Sequence, residues 1–206
     1  MTNKIVTMLE MQDAMNRKVD EDWIERDREW YRAIWIECAE LMDHYGGWKW
    51  WKASTPDIEQ VVLEIVDIWH FGLSMRITPT RDFPMIAAQI AEDWHETHAT
   101  RSFLAEVEYL ANAALGERTF AVDSVHALLG QVDRGFDDLY RAYVGKNVLN
   151  FFRQDHGYKD GSYEKIWNGK EDNVHLVEVM QMVNLGATDI QQQVYESLQS
   201  RYEAIS

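Results

Sequence analysis

Two short pairs of acidic residues lie within apolar, helix-forming stretches, and they constrain the fold more than any other feature of the chain. Glu37 and Glu40 are three residues apart, and so are Glu64 and Asp67. Residues three apart share one face of an α-helix, so each pair projects both carboxylates to the same side. Because the flanking residues are mostly Ile, Val, Leu, Ala and Trp, we expect both pairs to face the interior between two helices.

Four acidic side chains in such a place require a positive partner, because a buried charge without one is strongly destabilising. No Lys or Arg lies within the same helical turn of either pair. The sequence therefore predicts a bound divalent cation, and ligands that are all oxygen favour magnesium or manganese. Hard cations held by carboxylates inside a helical bundle are suited to binding phosphates.

The composition indicates a globular domain in a reducing compartment. The 206 residues are 46% hydrophobic and 12% aromatic, which suits a single helix-rich domain. Cys38 is the one cysteine, so no internal disulfide can form. The sequence shows neither a signal peptide nor an apolar run long enough to span a membrane, so we expect a cytoplasmic protein. A net charge of −15 disfavours nucleic acid as a partner.

The periodicity of apolar residues predicts an all-α fold. An opening helix of about 12 residues carries Leu9, Gln12 and Asn16, and Thr55-Pro56-Asp57 has the composition of a helix start. No alternating strand pattern is present. Helices are predicted over about 22–45, 55–76, 84–98, 100–115, 122–153, 172–184 and 188–204.

A different metal site also fits part of the sequence. Asp67-x-x-His70 and Glu92-x-x-His95 have the acid-x-x-His spacing that ferritin-like di-iron bundles use. Further carboxylates could come from Glu106 or Asp123. Against this alternative, the residues around His95 are polar on every side of a helix, which is typical of a surface helix or flap.

The C-terminal third adds cations and small polar side chains. Lys146, Asn150 and Arg153 are three or four residues apart and share one helical face, and Tyr158-Lys159 follow in a glycine-bounded loop. Arg and Lys bind phosphate oxygens, and amides bind sugars or bases. Gln12 and Asn16 also share a helical face and offer both donors and acceptors, as a pyrimidine edge requires; alternatively, they are ordinary surface residues.

Four blocks of the chain resemble the dimeric all-α dUTPase family, which is related to the MazG-type nucleotide pyrophosphatases. They are MLEMQDAMN, ECAELMDHYGGWKWWK, EIVDIWHF and GKNVLNFFRQDHGYKDGSYEKIWNGKEDN, with 23 residues between Glu40 and Glu64. Residues 78–135 resemble no part of the family that can be aligned. The resemblance implies one domain over 1–206, with a core of about 1–77 and 136–206 and a variable helical insertion of about 78–135.

The resemblance also implies a role for individual residues. Glu37, Glu40, Glu64 and Asp67 would be catalytic ligands of two or more Mg²⁺ ions, with Mn²⁺ as a substitute. Gln12 and Asn16 would read uracil, and Phe71 would pack beneath the deoxyribose. Other substrate-binding positions implied are Trp48, Lys49, Lys52, Lys146, Asn150, Arg153, Tyr158, Lys159, Lys165 and Asn168.

The implied reaction is Mg²⁺-dependent hydrolysis of dUTP, and of dUDP, to dUMP. Attack would occur at the β-phosphorus, Glu40 would polarise the water, and residues 157–161 would form a lid. The protein would be a homodimer. Two alternatives stay open: a broader dCTPase–dUTPase or MazG-like pyrophosphatase, and a family member that also acts as a protein-binding switch, as some phage members do, with 78–135 as the partner surface.

Overall fold

The backbone is almost entirely helical, which confirms the predicted fold class. A computed structural model describes residues 1–95, 100–183 and 190–204. The helices in these ranges are α1 (Thr2–Val19), α2 (Trp30–Tyr45), α3 (Ile58–Arg76), α4 (Phe83–Trp94), α5 (Phe103–Asn112) with a π-helical turn (Ala113–Glu117), α6 (Val122–Gln131), α7 (Phe136–Asp155), α8 (Asp172–Met182) and α9 (Ile190–Glu203).

The helix predicted over 122–153 is two helices, and this prediction was wrong. Asp133 has a left-handed backbone with φ of 55°, which interrupts the helical hydrogen bonds between α6 and α7. The N–H of Gly135 then donates to Asp138 Oδ2 at 2.9 Å, which caps the start of α7. A local break of this kind leaves the apolar periodicity of the sequence almost unchanged.

The second helix also begins later than predicted, at Trp30 instead of residue 22. Residues 21–27 form turns, and the Asp20 carboxylate accepts hydrogen bonds from the Asp22 N–H and the Arg28 guanidinium. Helix α3 begins after Asp57, whose carboxylate accepts from the Gln60 N–H at 3.3 Å. The predicted helix residues 96–98, 184 and 188–189 lie outside the described residues.

A short β-hairpin precedes α8, although no strand was predicted. Strands β1 (Ile166–Trp167) and β2 (Lys170–Glu171) pair antiparallel. Between them, Asn168 and Gly169 both have positive φ, at 49° and 78°. A two-residue turn of this geometry favours Asn-Gly, so this dipeptide is the one indication of a hairpin in the sequence. The strands themselves have only two residues each, which is too short to show an alternating pattern.

Two hydrophobic clusters hold the helices together. The larger one contains residues of all the helices from α1 through α7. The region 78–135 contributes Ile90, Val107 and Leu128 to it. The second cluster packs α8 and α9 on α7 around Phe152 and Trp167. Over the described ranges, every helix is too short or too polar to cross a lipid bilayer. Helices α1, α3 and α7 are fixed against one another, and the site described below lies among them.

Gly72 allows α3 to pack closely against the aromatic ring of Phe120. A Cβ at residue 72 would lie 2.3 Å from Phe120 Cε1, far inside van der Waals contact. The ring is 6% exposed and is packed in the larger cluster. Because Phe71 and Asp67 are on the same helix, this contact also fixes residues of the site.

We expect Gly72→Ala to lower the free energy of unfolding by about 1–3 kcal/mol, because the added methyl group overpacks the core. Gly130→Ala is the matched control: Gly130 lies in α6 with open space where its Cβ would be, so stability should be unchanged or should rise by up to ~1 kcal/mol. Urea unfolding of both variants measures the difference, and equal effects would contradict the close packing.

Candidate active site

Helices α2 and α3 place three glutamates side by side. One carboxylate oxygen each from Glu37, Glu40 and Glu64 can be chosen so that all lie within 4.8 Å of one another. Asp67 follows Glu64 by almost one turn of α3, and its charge acts on Glu37 and Glu64. The structure therefore brings the four predicted carboxylates into one cluster.

The burial of the cluster is graded, which corrects the expectation that both pairs face an interior. Glu64 is 4% exposed, whereas Glu37 and Asp67 are half-buried and Glu40 is exposed. Helix α2 lies at the surface on this side, where Ala39 is also exposed. The four carboxylates, which we call the acidic wall, therefore extend from the protein interior to solvent.

Close packing of like charges changes how the cluster binds protons. Burial, together with the negative charges of Asp67, Glu64 and Glu40, raises the pKa of Glu37 to about 8. Burial and Asp67 also raise the pKa of Glu64, with which Glu37 shares a hydrogen bond. The raised pKa of Glu37 favours a proton on this carboxyl, where the hydrogen bond to Glu64 reduces the repulsion between the two groups. A set of oxygen ligands in this electrostatic state fits a hard divalent cation, which would replace the proton.

Basic partners for the cluster come from other parts of the chain. Lys146 of α7 is 1% exposed, and its Nζ lies 2.8 Å from Asp67 Oδ2 and 3.0 Å from Asn173 Oδ1. His44 Nε2 lies 3.5 Å from Glu64 Oε1. Lys146 was predicted to hold the substrate; in this structure its contacts are with the acidic wall and with α8.

A cleft of about 930 Å³ opens beside the acidic wall. It is lined by residues of α1, α2, α3 and α7 and of the loop after α7. Nine of the predicted site residues line it: Gln12, Asn16, Glu37, Asp67, Phe71, Asn150, Arg153, Tyr158 and Lys159. His70, which the sequence analysis considered only as an iron ligand, also lines the cleft. The other lining residues, which the sequence analysis did not identify, are Met15, Val19, Asp20, Glu21, Trp23, Arg26, Arg28, Trp30 and Gln154.

The two amides on α1 are buried and hydrogen-bonded to each other. Gln12 Nε2 donates to Asn16 Oδ1 at 3.0 Å, and both amides contact the Ser74 hydroxyl of α3. They are therefore part of an ordered network, which excludes the alternative that they are ordinary surface residues. Phe71 stacks on Trp30 with ring centroids 6.1 Å apart, which supplies an aromatic surface in the same cleft.

Arg153 is held by residues that the sequence analysis did not single out. The fully buried carboxylate of Asp172 accepts from Arg153 Nε and Nη2, both at 2.8 Å. The Tyr163 hydroxyl donates to the same carboxylate at 2.9 Å. The Nη1 group remains on the side of Asn150, which it contacts at 3.2 Å. A buried acid at the start of a helix could have been noticed in the sequence, but its partner could not.

The loop after α7 reaches across to α1. Gly157 and Gly161 have positive φ, at 88° and 81°, and Lys159 Nζ donates to the Val19 carbonyl at 2.8 Å. The Arg153 guanidinium lies 5.7 Å from the centre of the Tyr158 ring. The loop thus borders the cleft, and its role as a lid stays a prediction.

Besides Lys146, five predicted substrate-binding residues lie outside the lining of the cleft. Trp48 and Lys49 both contact the Asp43 carboxylate in an exposed connector after α2, and Lys52 is exposed in the same connector. The other two belong to the hairpin region: Lys165 pairs with Glu171 at 3.5 Å, and Asn168 forms the turn. In a single chain none of these five is placed in the cleft lining.

The di-iron alternative finds no support in the described part of the chain. The one group of potential metal ligands found there is the three glutamates, and neither His70 nor His95 joins it. His70 instead stacks on Tyr143, and its Nδ1 contacts the Val66 carbonyl at 2.8 Å. Glu106 pairs with Arg101 and accepts from the Ser124 hydroxyl.

Comparison with known proteins identifies the family to which the chain belongs. No curated protein sequence matches the chain. A family model described as dUTPase matches residues 4–158, which is most of the chain. The match includes 78–135, which could not be aligned by inspection, and ends before Lys159, Lys165 and Asn168. Together with the helical fold, it shows that the chain belongs to the all-α dUTPase family and is a dUTP-hydrolysing enzyme.

Proposed function

We propose that this enzyme hydrolyses dUTP and dUDP to dUMP, with release of pyrophosphate or phosphate, in the cleft between α1, α3 and α7. The observation that carries the proposal is that a single cleft is lined by an amide pair, an aromatic ring, acidic side chains and cations. Each of these groups suits one part of a deoxyuridine nucleotide: base, sugar, metal-bound phosphates and free phosphate oxygens.

Glu37, Glu40, Glu64 and Asp67 would hold two or more Mg²⁺ ions, with Mn²⁺ as a substitute. The raised pKa of Glu37 and the mutual proximity of the glutamates support this assignment, because a bound cation would reduce the repulsion among these carboxylates. When bound, Mg²⁺ neutralises phosphate charge and lowers the pKa of a coordinated water. Glu40, which is exposed and lies beside Glu37, would orient the attacking water.

Cations of the C-terminal region would bind the phosphates. The Nε and Nη2 atoms of Arg153 are occupied by Asp172, so Nη1 is the group left for a phosphate oxygen. Lys159 is exposed at the cleft, and its bond to the Val19 carbonyl is an exchangeable surface contact. Lys146 would act mainly by holding Asp67 in place, because it is buried against that carboxylate.

Base and sugar would lie at the α1 side of the cleft. Gln12 and Asn16 offer amide donors and acceptors for uracil, and Phe71 offers a flat apolar surface beneath the deoxyribose, where it would leave no room for a 2′-hydroxyl. The stacking of Phe71 on Trp30 supports this role, because a ring held by a second ring cannot move aside easily.

The test is a panel of dUTP, dUDP, dCTP, dTTP and UTP with and without Mg²⁺, with pyrophosphate and phosphate quantified. We expect turnover of dUTP and dUDP with Mg²⁺, dUMP as product, and much slower turnover of UTP. Glu37→Gln should lower the activity by roughly 100-fold or more, because a ligand charge is lost. The same variant should leave the metal-free fold intact, because Glu37 is already protonated at neutral pH.

Glu108→Gln is the matched control, since Glu108 is an exposed glutamate on α5 and its replacement should not alter turnover. Full activity of Glu37→Gln would contradict the ligand assignment. Equal turnover of dUTP and dCTP would instead favour a broader dCTPase–dUTPase.

A homodimer is the assembly we propose. The connector after α2 exposes three tryptophans: Trp48 is 40% exposed, Trp50 87% and Trp51 61%. Exposed aromatic surface of this kind is typical of a protein interface. The three rings pack edge to face on one another, which forms one continuous patch.

Sedimentation at micromolar concentration should therefore give the mass of two chains, and a variant with both Trp50→Ser and Trp51→Ser should give the mass of one. Met182→Ser is the control, because Met182 is 76% exposed at the end of α8. A double variant that stays dimeric would remove the tryptophan patch from the interface.

A further inference from the structure

Ser74 connects the two amides that line the cleft to the backbone of α3. It lies seven residues after Asp67, on the same face of the helix, and is 2% exposed. Its Oγ is 3.0 Å from Gln12 Nε2, 2.9 Å from Asn16 Nδ2 and 3.0 Å from the His70 carbonyl oxygen. One hydroxyl group therefore has three hydrogen-bond partners.

The direction of these three bonds follows from counting hydrogens. A hydroxyl has a single hydrogen, and a carbonyl oxygen can only accept, so Ser74 donates to His70. The lone pairs of Oγ are then left to accept from both amides. Gln12 and Asn16 must consequently turn their nitrogen atoms, and not their oxygen atoms, toward Ser74.

The Gln12 amide is fixed at both ends. The two hydrogens of Nε2 go to Asn16 Oδ1 and Ser74 Oγ, each at 3.0 Å. Its Oε1 lies 3.1 Å from the hydroxyl of the fully buried Tyr143, which also contacts the Met8 carbonyl. The single hydrogen of this hydroxyl is shared between Gln12 Oε1 and the Met8 carbonyl oxygen, which is nearer at 2.8 Å, so the contact with Gln12 is the weaker of the two.

Asn16 keeps bonding capacity that faces the cleft. One hydrogen of Nδ2 is bound to Ser74, so the other is left to donate, and Oδ1 has a lone pair beyond the one that Gln12 occupies. The residue lines the cleft. It therefore presents one donor and one acceptor in an order that Ser74 determines.

That order distinguishes the two pyrimidines. Uracil presents the N3–H donor beside the O4 acceptor, whereas cytosine presents the N3 acceptor beside the amino donor. An amide that matches the first pair must flip to match the second. A flipped Asn16 would turn Oδ1 toward the Ser74 lone pairs and Nδ2 toward Gln12 Nε2, so that acceptor faces acceptor and donor faces donor in a buried place.

We propose that Ser74 is a positioning residue that sets the preference for uracil over cytosine: it donates to the His70 carbonyl, so it can only accept from Asn16 and Gln12, and this fixes the orientation of both amides. The inference rests on the proposed function, in which Gln12 and Asn16 contact the base. It assigns the selectivity to a hydroxyl on α3 that acts only through those amides.

The test is the ratio of kcat/KM for dUTP to that for dCTP in the full-length enzyme. Without the Ser74 hydroxyl, as in Ser74→Ala, the Gln12 and Asn16 amides can flip together and keep a hydrogen bond between them, so we expect this ratio to fall by roughly 10-fold or more, mainly through faster turnover of dCTP. Ser74→Thr keeps the hydroxyl and should restore the ratio. A merely structural defect would lower both kcat/KM values together and leave their ratio unchanged.

Ser124→Ala is the matched control, because Ser124 is also fully buried and hydrogen-bonded, but to Glu106 in another part of the core; its ratio should equal that of the wild type. Tyr143→Phe removes the hydroxyl at the other end of Gln12 and should lower the ratio as well, which gives a second test if Ser74→Ala does not fold.

The outcomes separate this inference from the function on which it rests. A wild-type enzyme that hydrolyses dUTP and dCTP equally overturns the uracil assignment, and the inference with it. A selective wild-type enzyme whose Ser74→Ala and Tyr143→Phe variants keep the full ratio overturns the inference alone. A lower ratio in these two variants, with Ser74→Thr and Ser124→Ala unchanged, supports it.

Discussion

Repulsion among acidic side chains where α2 meets α3 is the constraint on which the rest of the site depends. The packing of these two helices brings Glu37 and Glu64 close enough to share a hydrogen bond, and burial together with the neighbouring charges raises the pKa of Glu37 to about 8. Stability alone does not explain several carboxylates at this place, because pairs of opposite charge or apolar side chains would destabilise the fold far less. A divalent cation would reduce the repulsion among these groups, and this is the reason for proposing the cluster as the Mg²⁺ site.

The other helices each supply one component around that cluster. Helix α7 contributes the buried Lys146, which holds Asp67 by a contact of 2.8 Å, and Arg153, which α8 fixes through both oxygens of Asp172. Helix α1 contributes the amide pair, and its orientation depends on Ser74 of α3. The side chains that would touch substrate are thus held by partners on neighbouring elements, and positioning of this kind lowers the cost of reorganisation in a reaction.

The sequence was sufficient to predict the acidic quartet and the helical class, because spacing along a helix determines which residues share a face. For the amide pair, spacing left two interpretations open, and only the family resemblance favoured a site. It could not predict features that depend on contacts between distant segments. Lys146 was assigned to phosphates, whereas the fold buries it against Asp67. Asp172 was recognisable only as an acid at the start of a helix, and Ser74 carried no local signal. Their importance comes from Arg153 on another helix and from amides about 60 residues away in the chain. The break between α6 and α7 and the exposure of Glu40 were missed for a related reason: apolar periodicity reports which face is buried, but not where one residue leaves the helix or where a helix reaches the surface.

Calorimetric titration of the protein with Mg²⁺ at pH 7, in two buffers of different ionisation enthalpy, tests the central claim most directly. Because burial and neighbouring charges raise the pKa of Glu37 to about 8, a cation that takes Glu37 as a ligand at pH 7 should displace a proton. The account predicts the release of about one proton per chain at pH 7 and less release as the pH rises above about 8, where Glu37 is already ionised. Binding without proton release at pH 7, or no binding of Mg²⁺ at all, would contradict it.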